Sequence, residues 1–313
     1  MTLTHRLSYL GSRYRFDCMF NNYPSLPEYP GSVLRSAFGM ALRRIACVTN
    51  QSTCPGCPLI NECVYTKIFD SGIVAQTTGI SLTPYVIESS IVEPKTNSTD
   101  FMFGFHMVVY GIALKQLPLL VLAWQKVLAC GLGKKRTTGK LVRVVCCQKG
   151  SQDVCVWRED QPRIIPHDTT THLDIPVDKH EVVLHFDTPV RLQRKGKILG
   201  HSEITSADLI SGCMRRFSAV VACSGEQIDR RSIRELTEQS KSLEDKKELK
   251  FVQYSRYSSR QRYEMQLPGL IGSWRIRGDL KPYLHFLYLC EIFHVGKNTS
   301  IGLGKYTIDP QFN

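Results

Sequence analysis

Twice along this 313-residue chain, an apolar run of helix length leads through a basic, glycine-bearing loop into a short strand-like segment. The first instance joins Leu117 to Leu128, a loop from Gly131 to Gly139 carrying Lys134, Lys135 and Arg136, and Leu141 to Cys147. The second joins Pro282 to Phe293, the loop from Gly296 to Gly304 with Lys297, and Lys305 to Ile308. Helical and strand periodicities that alternate in this way call for sheets covered by helices, an α+β class, and their recurrence divides the chain into two crudely parallel halves.

Each half can be filled in further. Residues 8 to 20 alternate as a first strand, a Pro- and Gly-punctuated loop follows at 23 to 31, and Ser32 can cap a helix from Val33 to about Arg44. A cysteine-rich excursion and a variable loop to about residue 98 precede a β-prone stretch from Phe101 to Ile112. Gln161 to Pro166, bounded by two prolines, reads as a linker, which sets the expected domains at 1–165 and 166–313. In the second, Glu181 to Phe186 predicts a strand and 203 to 223 a helix. The polar, charged segment 226 to 250 is expected at the periphery, with apolar content resuming at Phe251 to Tyr257 and a strand from Gly272 to Leu280.

Hydrophobic residues make up 42% and charged residues 22%, which excludes disordered, collagenous and coiled-coil chains. The first twenty residues alternate in polarity and include three arginines, unlike a secretion signal. Leu117 to Leu128 contains Gln125 and Lys126 and is too short to span a bilayer, so no membrane role is expected. Twelve cysteines mostly set in apolar runs fit buried free thiols in a reducing cytoplasm. Forty Lys and Arg against 28 Asp and Glu give a net charge of +12, which directs attention to a polyanionic partner.

Cys47, Cys54, Cys57 and Cys63 form C-x6-C-x2-C-x5-C, and the central C-x2-C with Gly56 has the spacing of a metal knuckle. Structural zinc is the first expectation, with an iron–sulfur cluster left open and no catalytic metal expected. Between Asp100 and Asp153 there is no acidic residue, whereas Lys134, Lys135, Arg136 and Lys140 crowd around three glycines, a combination suited to phosphates. It lacks the Gly-Lys-Ser/Thr ending of a P-loop. The Gly296–Gly304 loop adds hydroxyls and Lys297 just before Lys305 and Tyr306. Upstream, Tyr254 to Arg262 interleaves tyrosines with Arg256, Arg260 and Arg262, groups that stack on bases and pair with phosphates.

Together these segments resemble the CRISPR-associated endoribonuclease family that processes precursor CRISPR RNA, within the repeat-associated mysterious protein superfamily. Leu34-Arg-Ser-Ala-Phe-Gly39 with Leu42 and Arg43 is similar to the family's first helix, and the cysteine cluster with Tyr65 and Phe69 to its cysteine-bearing variant. Pro189-Val-Arg-Leu-Gln-Arg-Lys195 resembles the opening of its C-terminal domain, followed by Arg215 and Arg216. Tyr257-Ser-Ser-Arg-Gln261 and the stretch from His294 to Tyr306 resemble its end signature, the most specific part. The resemblance implies two ferredoxin-like, RNA-recognition-type domains with a cysteine-rich insertion in the first. It also implies binding of CRISPR repeat RNA, service to a CRISPR interference complex, and metal-independent cleavage that leaves a 2′,3′-cyclic phosphate.

Such cleavage needs alignment of the 2′-oxygen, proton transfers, and positive charge beside the phosphorus. Many relatives place a catalytic histidine just after the first helix, but this chain has none from Gly11 to Met102. Because some relatives use lysine or arginine, the candidates are Tyr65, Lys67 and Arg43, with His294 beside the glycine-rich loop as a fourth. Arg44, Arg194, Lys195, Lys297 and Lys305 join the basic loops as RNA-binding candidates. His106 in its apolar strand reads as structural, and His167 and His172 flank the domain junction. The competing readings are a catalytically silent repeat-RNA-binding subunit and a zinc-stabilised nucleic-acid adaptor. Oligomeric state is not encoded in any of these patterns.

Overall fold

The computed structural model describes residues 4–72, 83–89, 101–148, 152–222, 230–258 and 263–309. The fold is α+β with several antiparallel sheets. The chain divides into two compact units, one of Leu10–Thr171 and one of Met1–Tyr9 with His172–Asn313.

The first sheet uses β1 (Thr4–Phe20), β2 (Tyr85–Ser89), β3 (Phe101–Tyr110), β4 (Gly139–Cys147) and β5 (Val154–Arg158), in the order β2-β3-β1-β4-β5, with β6 (Thr170–Pro176) also pairing with β1. Helix α1 (Gly31–Ala46) follows β1, α2 (Val64–Ile68) follows the cysteine-bearing turns, and α3 (Ile112–Lys115) and α4 (Leu117–Cys130) follow β3. Alternation along β1 sends Tyr14, Phe16, Cys18 and Phe20 into the core, all with no exposed surface. Phe38 of α1 stacks on Trp124 of α4 at 5.5 Å, and Trp124 meets Phe105 of β3 at 4.3 Å. The indole N–H donates to the Met107 sulfur at 3.0 Å, so this large side chain is buried with its polar atom satisfied. The opposite face of the sheet is ionic. Arg13 pairs with Glu88 at 2.7 Å, and Asp17 lies between Arg15 at 3.0 Å and Arg143 at 2.5 Å.

In the second unit, β7 (Glu181–Val190), β10 (Glu244–Ser258), β11 (Tyr263–Arg277) and β12 (Tyr306–Ile308) pair in the order β10-β11-β7-β12. The hairpin of β8 (Gln193–Arg194) and β9 (Lys197–Ile198) and helix α5 (Ser206–Ala222) follow β7, α6 (Arg230–Gln239) precedes β10, and α7 (Leu284–Phe293) follows β11. With β5 and β6 set aside, each sheet orders its strands second, third, first, fourth along the chain. Leu184, Phe186, Trp274, Ile276 and Tyr306 form the buried face of the second sheet.

Several elements differ from expectation. The described part of 226–250 is not a loose periphery; it holds α6 and half of β10. Its alternation is masked by charge, since Lys246, Glu248 and Lys250 face solvent on an edge strand while Leu249 is buried and the Lys247 ammonium lies 5.8 Å from the Trp274 ring centre. The strand expected at 272–280 instead spans Tyr263–Arg277, with a bulge between Leu270 and Gly272. Residues 161–166 lie inside the first unit, which continues to Thr171. The apolar run at α4 is a core helix. Among the described residues no helix is long and apolar enough to cross a membrane.

Candidate nucleic-acid interface

The position of Tyr65 is set by a glycine. Gly39, in the middle of α1, leaves room for the Phe69 ring to lie directly on the helix backbone, where any Cβ would collide with it. Arg35 covers the same ring, its guanidinium carbon 4.2 Å from the centroid, and donates to the Phe69 carbonyl at 3.3 Å. Tyr65 then stacks on Phe69 at 5.4 Å. Burial, aided by the Asp70 carboxylate, pushes the Tyr65 phenol up to about 12. It is therefore a proton donor at neutral pH. Lys67 pairs with Glu62 at 2.7 Å, and Arg43 donates to the Gln51 and Ser52 carbonyls at 2.6 and 2.8 Å, which ties the cysteine-bearing turns to α1.

Cys47, Cys54, Cys57 and Cys63, with Arg43 and Tyr65, border one cavity of about 120 Å³. The expected zinc site is nonetheless corrected. Among the described residues no group of three or more His, Cys, Asp or Glu side chains is placed to hold a metal ion, and all four thiols are free. The iron–sulfur alternative fails with it. Two of the thiols turn instead toward one hydroxyl, with Thr49 Oγ1 at 3.8 Å from Cys47 and 3.6 Å from Cys57. The Thr49 contact lowers the Cys47 pKa below the usual thiol range, whereas burial raises Cys54 and pushes Cys146 to about 11. A brief iodoacetamide pulse near neutral pH, read by peptide mass spectrometry, is expected to modify Cys47 before Cys54 and Cys146. Equal rates at Cys47 and Cys54 would refute the role given to Thr49.

The second built site is the glycine-rich loop. Gly296, Gly302 and Gly304 all have positive φ, and a Cβ on Gly296 would come within 2.6 Å of the Arg191 carbonyl oxygen. Two nearly buried arginines knit the loop from beneath: Arg191 donates to the Asn298 side chain and Arg216 to the Thr299 hydroxyl. Thr188 donates to the Gly302 carbonyl at 2.8 Å, and the backbone N–H of Lys305 donates to the Thr188 hydroxyl at 2.9 Å. Lys297 is exposed and Lys305 half-buried. His294 has no exposed surface, and its Nδ1 lies 3.2 Å from the Leu303 carbonyl oxygen. That burial sets the ring inside the packing beneath the glycine-rich loop rather than on its exposed side.

The remaining basic candidates fall in several places. Arg44, Lys134, Lys135 and Arg136 are exposed, and Arg136 adopts φ +50° in the loop closed by the Leu132–Thr137 bridge. Lys140 pairs with Glu159 at 3.2 Å. Arg194 is engaged by Asp208, so it braces the β8–β9 hairpin, at whose turn Lys195 is exposed. Arg256 lies on β10, while Arg260 and Arg262 lie outside the described residues. Tyr65, Lys67 and Arg43 share one locality in the first unit, and Lys297, Lys305, Arg194 and Lys195 belong to the second. The ionic ladder of Arg13, Arg15 and Arg143 escaped the reading of catalytic and RNA-binding candidates, although the alternation of β1 carried its signal.

Comparison with known proteins follows the same division. Residues 184–306 match the family of CRISPR-associated endoribonuclease Cas6, and residues 9–169 match the AF_1859_N N-terminal domain. Among solved structures, a Cas6 product complex is similar with a TM-score of 0.56 and 14% identity, over 95% of this chain and 99% of that one. A Thermus thermophilus Cas6 is similar with a TM-score of 0.51 and 14% identity, over 97% and 99%. At this identity the likeness is one of fold. No curated protein matches the chain.

Proposed function

We propose, from the premise that this chain belongs to the CRISPR-associated Cas6 endoribonuclease family, that it cuts precursor CRISPR RNA within its repeats and so generates mature guides. The observation that carries this reading is the glycine-rich loop, braced by Arg191 and Arg216 with Lys297 exposed, within the residues that match the family. The recurring strand order supports two ferredoxin-like domains of the RNA-recognition type, the first carrying the cysteine-bearing turns after α1. The net charge of +12 supports a nucleic-acid partner, and the cytoplasm is where precursor RNA is met.

In the reaction the 2′-oxygen gives up its proton to a base as it bonds to phosphorus. The bond from phosphorus to the 5′-oxygen breaks, and that oxygen takes up a proton. The products end in a 2′,3′-cyclic phosphate and a 5′-hydroxyl. Tyr65, protonated at neutral pH, suits donation to the leaving 5′-oxygen, while Lys67 and Arg43 supply positive charge beside the phosphorus. Arg44, Lys134, Lys135, Arg136, Lys195, Lys297 and Lys305 serve the RNA backbone.

End-labelled repeat RNA from the host's own array, incubated in chelator, is expected to be cut once within the repeat, with a cyclic phosphate on the upstream product. Tight binding without cleavage would make the chain an RNA-retaining subunit instead. Neither binding nor cleavage would end the reading.

A further inference from the structure

The second unit contains a recess of about 580 Å³ bordered by Tyr9, Pro176, Phe217, Lys281, Leu284 and His285, none of them a catalytic or RNA-binding candidate named above. Its lining is mostly apolar and aromatic. Tyr9 meets Phe217 edge-on at 5.9 Å, and Phe217 meets His285 edge-on at 5.4 Å. Recesses of this size, apolar with a few polar groups, are the ordinary form of small-ligand sites.

Two polar features are left unused. Among the described residues neither ring nitrogen of the half-buried His285 has a hydrogen-bond partner within the protein. Burial lowers the His285 pKa to about 4, so the ring is a neutral imidazole with one donor and one acceptor. At the mouth, the exposed Lys281 has no carboxylate within ion-pair distance among the described residues. An aliphatic or aromatic peptide side chain would satisfy the walls but neither of these groups. A nucleotide satisfies all three, with a flat ring for the walls, a donor–acceptor edge for the imidazole and an adjoining phosphate for the ammonium.

We infer that this recess takes one unpaired nucleobase of the bound RNA, its edge on His285 and its neighbouring phosphate on Lys281. The inference rests on the RNA-processing reading and adds a base-capture site to it, in the second unit and built from residues with no part in the proposed cleavage.

The test uses the full chain and repeat RNA in which 2-aminopurine replaces one unpaired base at a time. In the wild-type complex, fluorescence at one position or two adjacent ones should change sharply on binding. Lys281→Ala, at an exposed position, and His285→Phe, which keeps the ring but removes both nitrogens, should abolish that change and weaken RNA binding by about fivefold or more. Filter binding measures overall affinity separately. If RNA binds with unchanged affinity in both variants and no position responds, the inference falls while the processing reading stands. If wild-type protein binds no RNA, both fall. Free adenosine 5′-monophosphate separates the two sources of such a ligand: saturable binding of it that both variants lose, with no RNA position responding, would overturn the RNA base in favour of a free nucleotide.

Discussion

Gly304→Ala is expected to destabilise the second unit by about 3 kcal/mol or more, because two independent costs fall on one methyl group. Gly304 sits at φ +74°, where an L-residue is strained, and its Cβ would run into the Val295 carbonyl oxygen. That contact cannot relax cheaply. The Val295 N–H donates to the Gly304 carbonyl at 3.0 Å, and the Gly304 N–H donates to Pro189 at 3.0 Å, so moving the residue breaks the seam that fastens the loop beside β7. Thermal unfolding should show a midpoint lower by roughly 6–12 °C for a domain of this size, together with loss of RNA binding. Gly200→Ala is the matched control, since its Cβ would meet only the Glu203 carboxylate at 3.7 Å and its φ is not positive. A Gly304→Ala protein that melts with wild type would show that the loop does not have the conformation described.

Tyr65→Phe should reduce single-turnover cleavage by about 10² to 10⁴-fold while leaving RNA affinity unchanged, the usual range for removing a positioned proton donor. Phenylalanine retains the stacking on Phe69 and the packing on α1, so the fold should survive. The pH profile adds a second reading of the same group. With its pKa raised to about 12, the phenol remains protonated through pH 9 and 10, where an unperturbed tyrosine would already be ionising. Activity that depends on the protonated form should therefore persist through that range and decline only as the pH approaches 12. A variant that cuts at the wild-type rate would reduce Tyr65 to a packing residue and shift attention to Lys67 and Arg43.

The parts of the fold that could be read from the sequence are those where one periodicity dominates. The alternation of Tyr14, Phe16, Cys18 and Phe20 predicts β1, and the apolar run at Leu117 to Leu128 predicts the helix α4, which the fold buries. Strand β10 was concealed by Lys246, Glu248 and Lys250, whose charges protect an exposed edge and so resemble a solvated loop. The cysteines misled for a related reason. Spacing reports how close thiols lie along the chain, whereas coordination needs them to converge in space, and Cys47 and Cys57 turn to Thr49 instead. Gly39 was visible within a motif, yet its function as the seat of Phe69 depends on a ring thirty residues away. His285 and Lys281 carried no signal, since their neighbours Tyr9 and Phe217 are brought beside them only by folding.

The assignment of Met1–Tyr9 to the same unit as His172–Asn313 bears on the order in which the protein can mature. These residues precede Leu10–Thr171 in the chain, but the surfaces that receive them are translated only after all of Leu10–Thr171. Strand β1 must therefore begin its life half docked, its later residues free to enter the first sheet while the segment before Leu10 waits. Folding of the first unit thus holds the segment before Leu10 in readiness, and completion of the second unit follows it.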